Sequence, residues 1–186
     1  VGKDLDSYKS ECHHGTAYTN MIAEYAEIKS EALYYVPLNK THEVWRLKVT
    51  NTSDKVRKIS TFGYCEFTNS NNYEQDQVNL QYTLFITKTY FKKNKIEQVI
   101  NENVSKMKIN GDEATSRFFG LAGAPVTSYS GDKESFIGRY HQYSNPVSVE
   151  NGCCDNSLNY NTNACGAIHT ALELQPGETK ELVYIL

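Results

Sequence analysis

The stretch that decides the fold is Glu43-Val44-Trp45-Arg46-Leu47-Lys48-Val49-Thr50-Asn51-Thr52-Ser53-Asp54. Successive side chains of an extended chain point to opposite faces. Trp45, Leu47 and Val49 therefore share one face, and Arg46, Lys48 and Thr50 share the other. That alternation is the period of a half-buried strand, not of a helix. Asn51 to Asp54 then supplies side chains that hydrogen-bond locally in turns. A β-rich run resumes from Arg57 to Phe67, so the two segments read as a hairpin.

Working outward, Ile28 to Val36 reads as a strand that stops at Pro37, which cannot donate to a ladder. Leu80 to Phe91 is long and full of Thr, Tyr, Phe and Ile, all strand formers. Ala171 to Leu174 precedes Gln175-Pro176-Gly177-Glu178, where Pro fixes φ first and Gly permits positive φ second. Glu181 to Leu186 follows as a strand. Helical signals are sparse. Ile96 to Val104 has the length of a short helix, although Asn101 and Asn103 favour a loop. Gly152 to Gly166 is polar and aperiodic, the reading of an ordered loop between strands. Many strands joined by turns predict an all-β fold, an antiparallel sandwich forming a single domain over residues 1–186.

The bulk composition agrees. The 186 residues suffice for one domain with a real core. The hydrophobic fraction of 39% and aromatic fraction of 12% exclude disorder, and the fourteen tyrosines suit sheets. A net charge of -3 offers no basic field for nucleic acid, and no apolar run reaches membrane-helix length. The start at Val1 without a signal segment, and the terminal strand running to Leu186, read as ends cut from a longer chain. Five cysteines, two of them the adjacent Cys153 and Cys154, make a poor disulfide framework. Reduced thiols and a cytoplasmic location are the expectation. Sequons at Asn39, Asn51 and Asn103 are short patterns that hardly alter it.

Candidate chemistry is thin. Cys12-His13-His14 has zinc-ligand types but not the spaced pairs that let side chains converge, and reads as structural. Asn69 to Gln81 gathers amides, carboxylates and a tyrosine, the groups that bind vicinal hydroxyls and stack on a pyranose; its plain reading is a solvated loop. Glu11, Glu66, Glu74, Asp76 and Asp132 are carboxylates of the type used in glycoside cleavage, but no spacing selects a pair. Gly120 to Gly123 lacks the lysine and the setting of a phosphate loop.

Several motifs resemble one family in order along the chain. Glu11-Cys12-His13-His14-Gly15-Thr16-Ala17-Tyr18-Thr19 is similar to the E-C-R-H-G-L-G-Y-T stretch of cellobiose phosphorylases and their relatives, glycoside hydrolase family 94. Tyr35-Val36-Pro37-Leu38 resembles their F-V-P-L, and Glu43 to Asp54 resembles E-V-x-x-V-x-V-T-N-T-S-D. Asp132 to Tyr140 resembles D-R-D-x-F-x-G-x-Y, and Leu174 to Glu178 with Leu182 to Leu186 resembles the end of the same domain. The resemblance implies a large galactose-mutarotase-like super-sandwich, truncated here at both ends, that precedes a helical linker and a catalytic (α/α) barrel absent from this chain. The implied reaction cleaves a β-linked glucose disaccharide with inorganic phosphate and inversion, without an organic cofactor. No catalytic residue and no metal site is expected in these residues. The implied partners are the chain's own barrel domain and a second copy in a homodimer, in which the sandwich walls the other subunit's active site. Asn79, Gln81 and Tyr82 match the segment that forms this wall. Tyr82 stands where cellobiose phosphorylases carry an arginine, and a phenol cannot make the forked charged contact of guanidinium. That departure points away from cellobiose, toward laminaribiose or another β-linked glucoside. A stand-alone carbohydrate-binding sandwich, or a purely structural dimerisation domain, are the alternatives.

Overall fold

The structure, a computed structural model, describes residues 5–67, 87–100 and 116–186. Eleven strands and two short helices are described: β1 (Lys9–His14), β2 (Tyr18–Tyr25), β3 (Ile28–Tyr35), β4 (Val44–Asn51), β5 (Arg57–Glu66), β6 (Thr87–Lys92), β7 (Lys95–Ile100), β8 (Arg117–Ala122), β9 (Ser128–Asp132), α1 (Lys133–Ile137), α2 (Val147–Glu150), β10 (Ala164–Leu174) and β11 (Thr179–Ile185). Eight strands form one sheet in the order β1-β2-β3-β4-β11-β8-β7-β6, and three form a second in the order β5-β10-β9. Every ladder among the described residues is antiparallel.

The β4 alternation works as its period requires. Val49 is buried, and Trp45 packs on Phe119 with ring centroids 5.3 Å apart. On the other face Arg46 makes a forked pair with Glu181 of β11, at 2.8 and 3.3 Å. The core between the sheets joins Ile96, Phe119, Leu182 and Tyr184 of the larger sheet to Ile168 and Leu174 of β10. Phe119 and Tyr184 stack at 5.4 Å. Gly63 of β5 lies directly beneath them: a Cβ there would sit 2.5 Å from the Tyr184 ring and 2.9 Å from Phe119. Only glycine lets the two sheets approach this closely at that point.

The segments on either side of Asn51-Thr52-Ser53-Asp54 are not a hairpin. β4 pairs with β3 and β11, whereas β5 pairs with β10. Residues 52–56 arch from one sheet to the other, and residues 175–178 make the reverse arch from β10 to β11. Asn51 ties the two together. Its Nδ2 donates to the carbonyls of Lys55, Leu174 and Gln175 at 2.6, 3.1 and 3.1 Å. Its Oδ1 accepts from the Ser53 amide and hydroxyl at 3.0 and 2.7 Å. Its main chain donates to Glu178 O and accepts from Gly177 N, each at 3.0 Å. The turn that these residues signal is present, but its polar side chains serve a corner between layers.

The region from Ile96 is also a strand, not a short helix. Lys93 and Asn94 both have positive φ, 52° and 59°, and close a two-residue hairpin between β6 and β7. Ile96 and Gln98 are buried two residues apart, a strand period. Residues 101–104 of that expectation, and 80–86 of the long strand ending at Phe91, lie outside the described residues. The loop expected from Gly152 to Gly166 ends earlier: residues 152–163 are irregular apart from a bridge between Lys88 and Tyr160, and residues 164–166 already belong to β10, where Cys165 and Gly166 pair with β5.

Replacing Asn51 by Ala removes these side-chain bonds, including the buried one to the Leu174 carbonyl, and strips the buried Ser53 amide and hydroxyl of their acceptor. The expected cost is about 3 kcal/mol or more in equilibrium urea unfolding, far above an ordinary polar substitution. A loss below about 1 kcal/mol would mean that the corner does not hold the sheets together.

Candidate functional site

Asn79, Gln81 and Tyr82 lie outside the described residues, as do Glu74 and Asp76. Cys12-His13-His14 runs along β1, the outer strand of the larger sheet, and all three residues are exposed. Cys12 Sγ meets His14 Nε2 at 3.3 Å, His14 Nδ1 meets Thr19 Oγ1 at 3.0 Å, and His13 approaches Glu11 at 3.4 Å. Among the described residues no group of three or more His, Cys, Asp or Glu is placed to hold a metal ion. Asp132 turns out to be a helix cap. Its Oδ1 accepts from the Ser135 amide at 2.9 Å, and its Oδ2 accepts from the Thr162 hydroxyl.

That cap starts the segment that walls a cleft on the outer face of β5 and β10. β5 and β10 present a polar-aromatic outer face, away from the sandwich core: Phe62, Tyr64 and Glu66 on β5, Cys165, Ala167 and His169 on β10. α1 and α2 fold over the upper part of it. Phe136 of α1 stacks on Tyr64 at 4.9 Å, and Phe62 stacks on His169 at 4.7 Å. The cleft left between them has a volume of about 410 Å³ and is lined by Phe62, Tyr64, Phe136, Tyr143, Pro146 and Val149 among others.

Glu66 stands at its rim. Its Oε1 accepts from the hydroxyls of Tyr64, at 2.9 Å, and Tyr143, and Lys133 Nζ lies 3.1 Å from each carboxylate oxygen. Lys133 also sits over the Tyr143 ring, 5.0 Å from its centroid. Burial acts to raise the Glu66 pKa, but the bonds from Tyr143, Lys133 and Tyr64 outweigh it and hold the carboxyl below its ordinary value. For Lys133, burial opposes the charge, yet the bonds to Tyr143 and Glu66 prevail and its pKa is raised. Burial foremost, then the neighbouring Cys165 and Glu66, pushes the Tyr64 phenol far up, so it stays a donor. A second, wider cleft of about 750 Å³ is lined by Glu66 and runs past His42, Glu43, Arg117 and Leu186.

Below the cleft, His169 is buried between two hydroxyls, Ser128 at 2.9 Å and Ser60 at 3.0 Å, and burial lowers its pKa. Burial pushes the Cys65 and Cys154 thiols each up to about 12, and Cys165 higher still. The Glu66 cluster was not readable in advance. Its members are separated by 67 residues from Glu66 to Lys133 and 77 from Glu66 to Tyr143. The sequence traces were Glu66 as one of five candidate carboxylates and the Asp132 to Tyr140 motif, whose first residue caps α1.

The β-sandwich and this motif-bearing segment define the class of domain, and the sequence profile of the glycosyl hydrolase 94 supersandwich domain matches residues 2–186. The chain belongs to that family. It is 33% identical over all 186 residues to an N,N'-diacetylchitobiose phosphorylase of Vibrio furnissii, covering 22% of that protein. It is 32% identical to a protein of the same description from Vibrio proteolyticus, again covering 22%. It is 28% identical over 180 residues, 96% of this chain, to a solabiose phosphorylase of Paenibacillus borealis, of which it covers 22%. The chain thus spans about a fifth of the length of these relatives.

Two outcomes follow from the site. A carboxylate with a depressed native pKa contributes stability above its unfolded value, roughly pH 4.3, that is lost as pH falls through the native value. Glu66→Gln is therefore expected to be less stable than the parent chain at neutral pH, with the gap closing in acid; a gap constant down to the most acid conditions would remove the charged cluster. Under native conditions iodoacetamide is expected to modify the exposed Cys12 and Cys153 and to spare the buried Cys65, Cys154 and Cys165, read by mass spectrometry.

Proposed function

We propose that this chain is a non-catalytic domain of an inverting phosphorylase that cleaves a β-linked disaccharide with inorganic phosphate, giving a sugar 1-phosphate and a free sugar. The observation that carries this reading is the match of the supersandwich family over residues 2–186, together with full-length similarity to proteins described as disaccharide phosphorylases. The small share of those relatives that the chain covers supports a domain role, with the reacting groups in a following barrel. On this reading the domain supports a homodimer, and Asn79, Gln81 and Tyr82 wall a sugar pocket. The co-substrate is phosphate and no organic cofactor takes part. Cys65, Cys154 and Cys165, buried as free thiols, fit a reducing compartment such as the cytoplasm. The described residues contain no helix long and apolar enough to cross a membrane.

The substrate proposed is a β-linked glucose disaccharide or its N-acetylated counterpart, the latter suggested by the two Vibrio relatives. The test is incubation of the longer protein containing this chain with phosphate and, in turn, cellobiose, laminaribiose and N,N'-diacetylchitobiose. Phosphorus NMR is expected to show an α-configured sugar 1-phosphate from at least one of them, and none from the 186-residue chain alone. Tyr82→Ala in the longer protein is expected to raise KM more than it lowers kcat. Hydrolysis without phosphate incorporation, or no product from any of the three sugars, would overturn the proposal.

A further inference from the structure

We propose that the cleft between β5 and the α1–α2 segment is itself a saccharide-binding site, taking a pyranose unit of a neutral β-linked oligosaccharide. The inference rests on the carbohydrate reading above and adds a binding surface within these residues. Size is the first argument. About 410 Å³ is within the range of small-molecule sites and accommodates a sugar ring rather than a folded partner.

The chemistry of the walls is the second. The lining is mostly apolar, with Phe62, Phe136, Pro146 and Val149, and includes the hydroxyl-bearing Tyr143 and Ser144. A pyranose has the same two aspects, a face of C–H groups and an edge of hydroxyls. An apolar peptide seated there would strip water from the Tyr143, Glu66 and Lys133 groups without replacing their hydrogen bonds.

Charge is the third. Glu66 and Lys133 neutralise each other at 3.1 Å. Around them Arg139 pairs with Glu134 at 3.1 Å, and His141 Nδ1 lies 3.8 Å from Glu150. The Glu66–Lys133 and Arg139–Glu134 pairs each cancel, which disfavours a strongly ionic ligand and favours a neutral one.

The fourth argument is that the exposed ring is held in place. Tyr143 is 61% exposed, yet its hydroxyl is fixed by Glu66, its face by Lys133 and its edge by Tyr64, with centroids 6.2 Å apart. The loop that carries it is braced too. His141 Nδ1 meets Asn145 O at 2.8 Å, and the Asn145 side chain accepts from the Gln142 amide at 3.2 Å. Beside it Tyr140 is held at a φ of 69°, a conformation that costs a non-glycine residue energy and persists where the surroundings enforce it. An aromatic ring ordered before binding loses little entropy when a ligand stacks on it.

The test is titration calorimetry of the 186-residue chain with cellotetraose and with chitotetraose, alongside amide NMR shifts. Saturable binding of at least one tetrasaccharide is expected, unchanged by added salt, with shifts clustered over residues 138–149. Tyr143→Ala is expected to weaken it about tenfold, the effect of losing one stacked contact, and Tyr143→Phe, which keeps the ring but loses the hydroxyl held by Glu66, to weaken it by less than Tyr143→Ala does. Binding of neither sugar, shifts clustered elsewhere, or equal affinity in Tyr143→Ala would each overturn the site. Should the longer protein fail to phosphorolyse while this binding persists, only the reaction falls; the converse removes only the cleft.

Discussion

One amide side chain holds this domain's layers in register. Asn51 is fully buried where two arches meet, and it bonds to both of them through its side chain and its main chain. Two of its three carbonyl acceptors belong to the end of β10 and the turn after it, more than 120 residues away in sequence. A buried polar group is costly unless satisfied, and satisfied it specifies one arrangement. Here that arrangement sends β4 and β5 into different sheets and returns the chain from β10 to β11 across the same gap.

The consequences run outward from the corner. With β5 in the smaller sheet, Gly63 is placed under Tyr184 and Phe119, and the core can close over it. The opposite face of β5 then carries Phe62, Tyr64 and Glu66 outward in one row, and β10 lays His169 and Cys165 beside them. The Asp132 cap directs the chain from β9 into α1, which brings Phe136 and Lys133 onto that row. The cleft is thus a product of sheet assignment: were β4 and β5 a hairpin in one sheet, Glu66 and Lys133 would not meet.

Strands β3, β4, β5 and β11 were legible because their signal is local, whereas β1, β2, β8, β9 and the start of β10 were not read from the sequence. Trp45, Leu47 and Val49 alternate with Arg46, Lys48 and Thr50, and Pro176-Gly177 marks its own turn with Gly177 at a φ of 72°. Which strand pairs with which was not legible, since an Asx turn looks the same at a hairpin and at an arch. The β7 strand was obscured by its polar residues, Gln98 above all, which is buried in spite of its type. The site was legible only in part. The resemblance marked the Asp132 to Tyr140 segment without its role, and the carboxylate that matters, Glu66, was one of five candidates until the fold set Lys133, Tyr64 and Tyr143 around it. Family membership itself came from ordered motifs spread along the chain, which survive where pairings cannot be read.

The account turns on the corner at Asn51, and native-state amide hydrogen exchange reports on it directly. The amides of Asn51, Gly177 and Glu178, all bonded within the two arches, are expected to exchange as slowly as those of Ile168 and Leu182 in the core, through global unfolding alone. Exchange of the arch amides by a faster, local opening, with the core strands still protected, would contradict the claim that this corner fixes the two sheets.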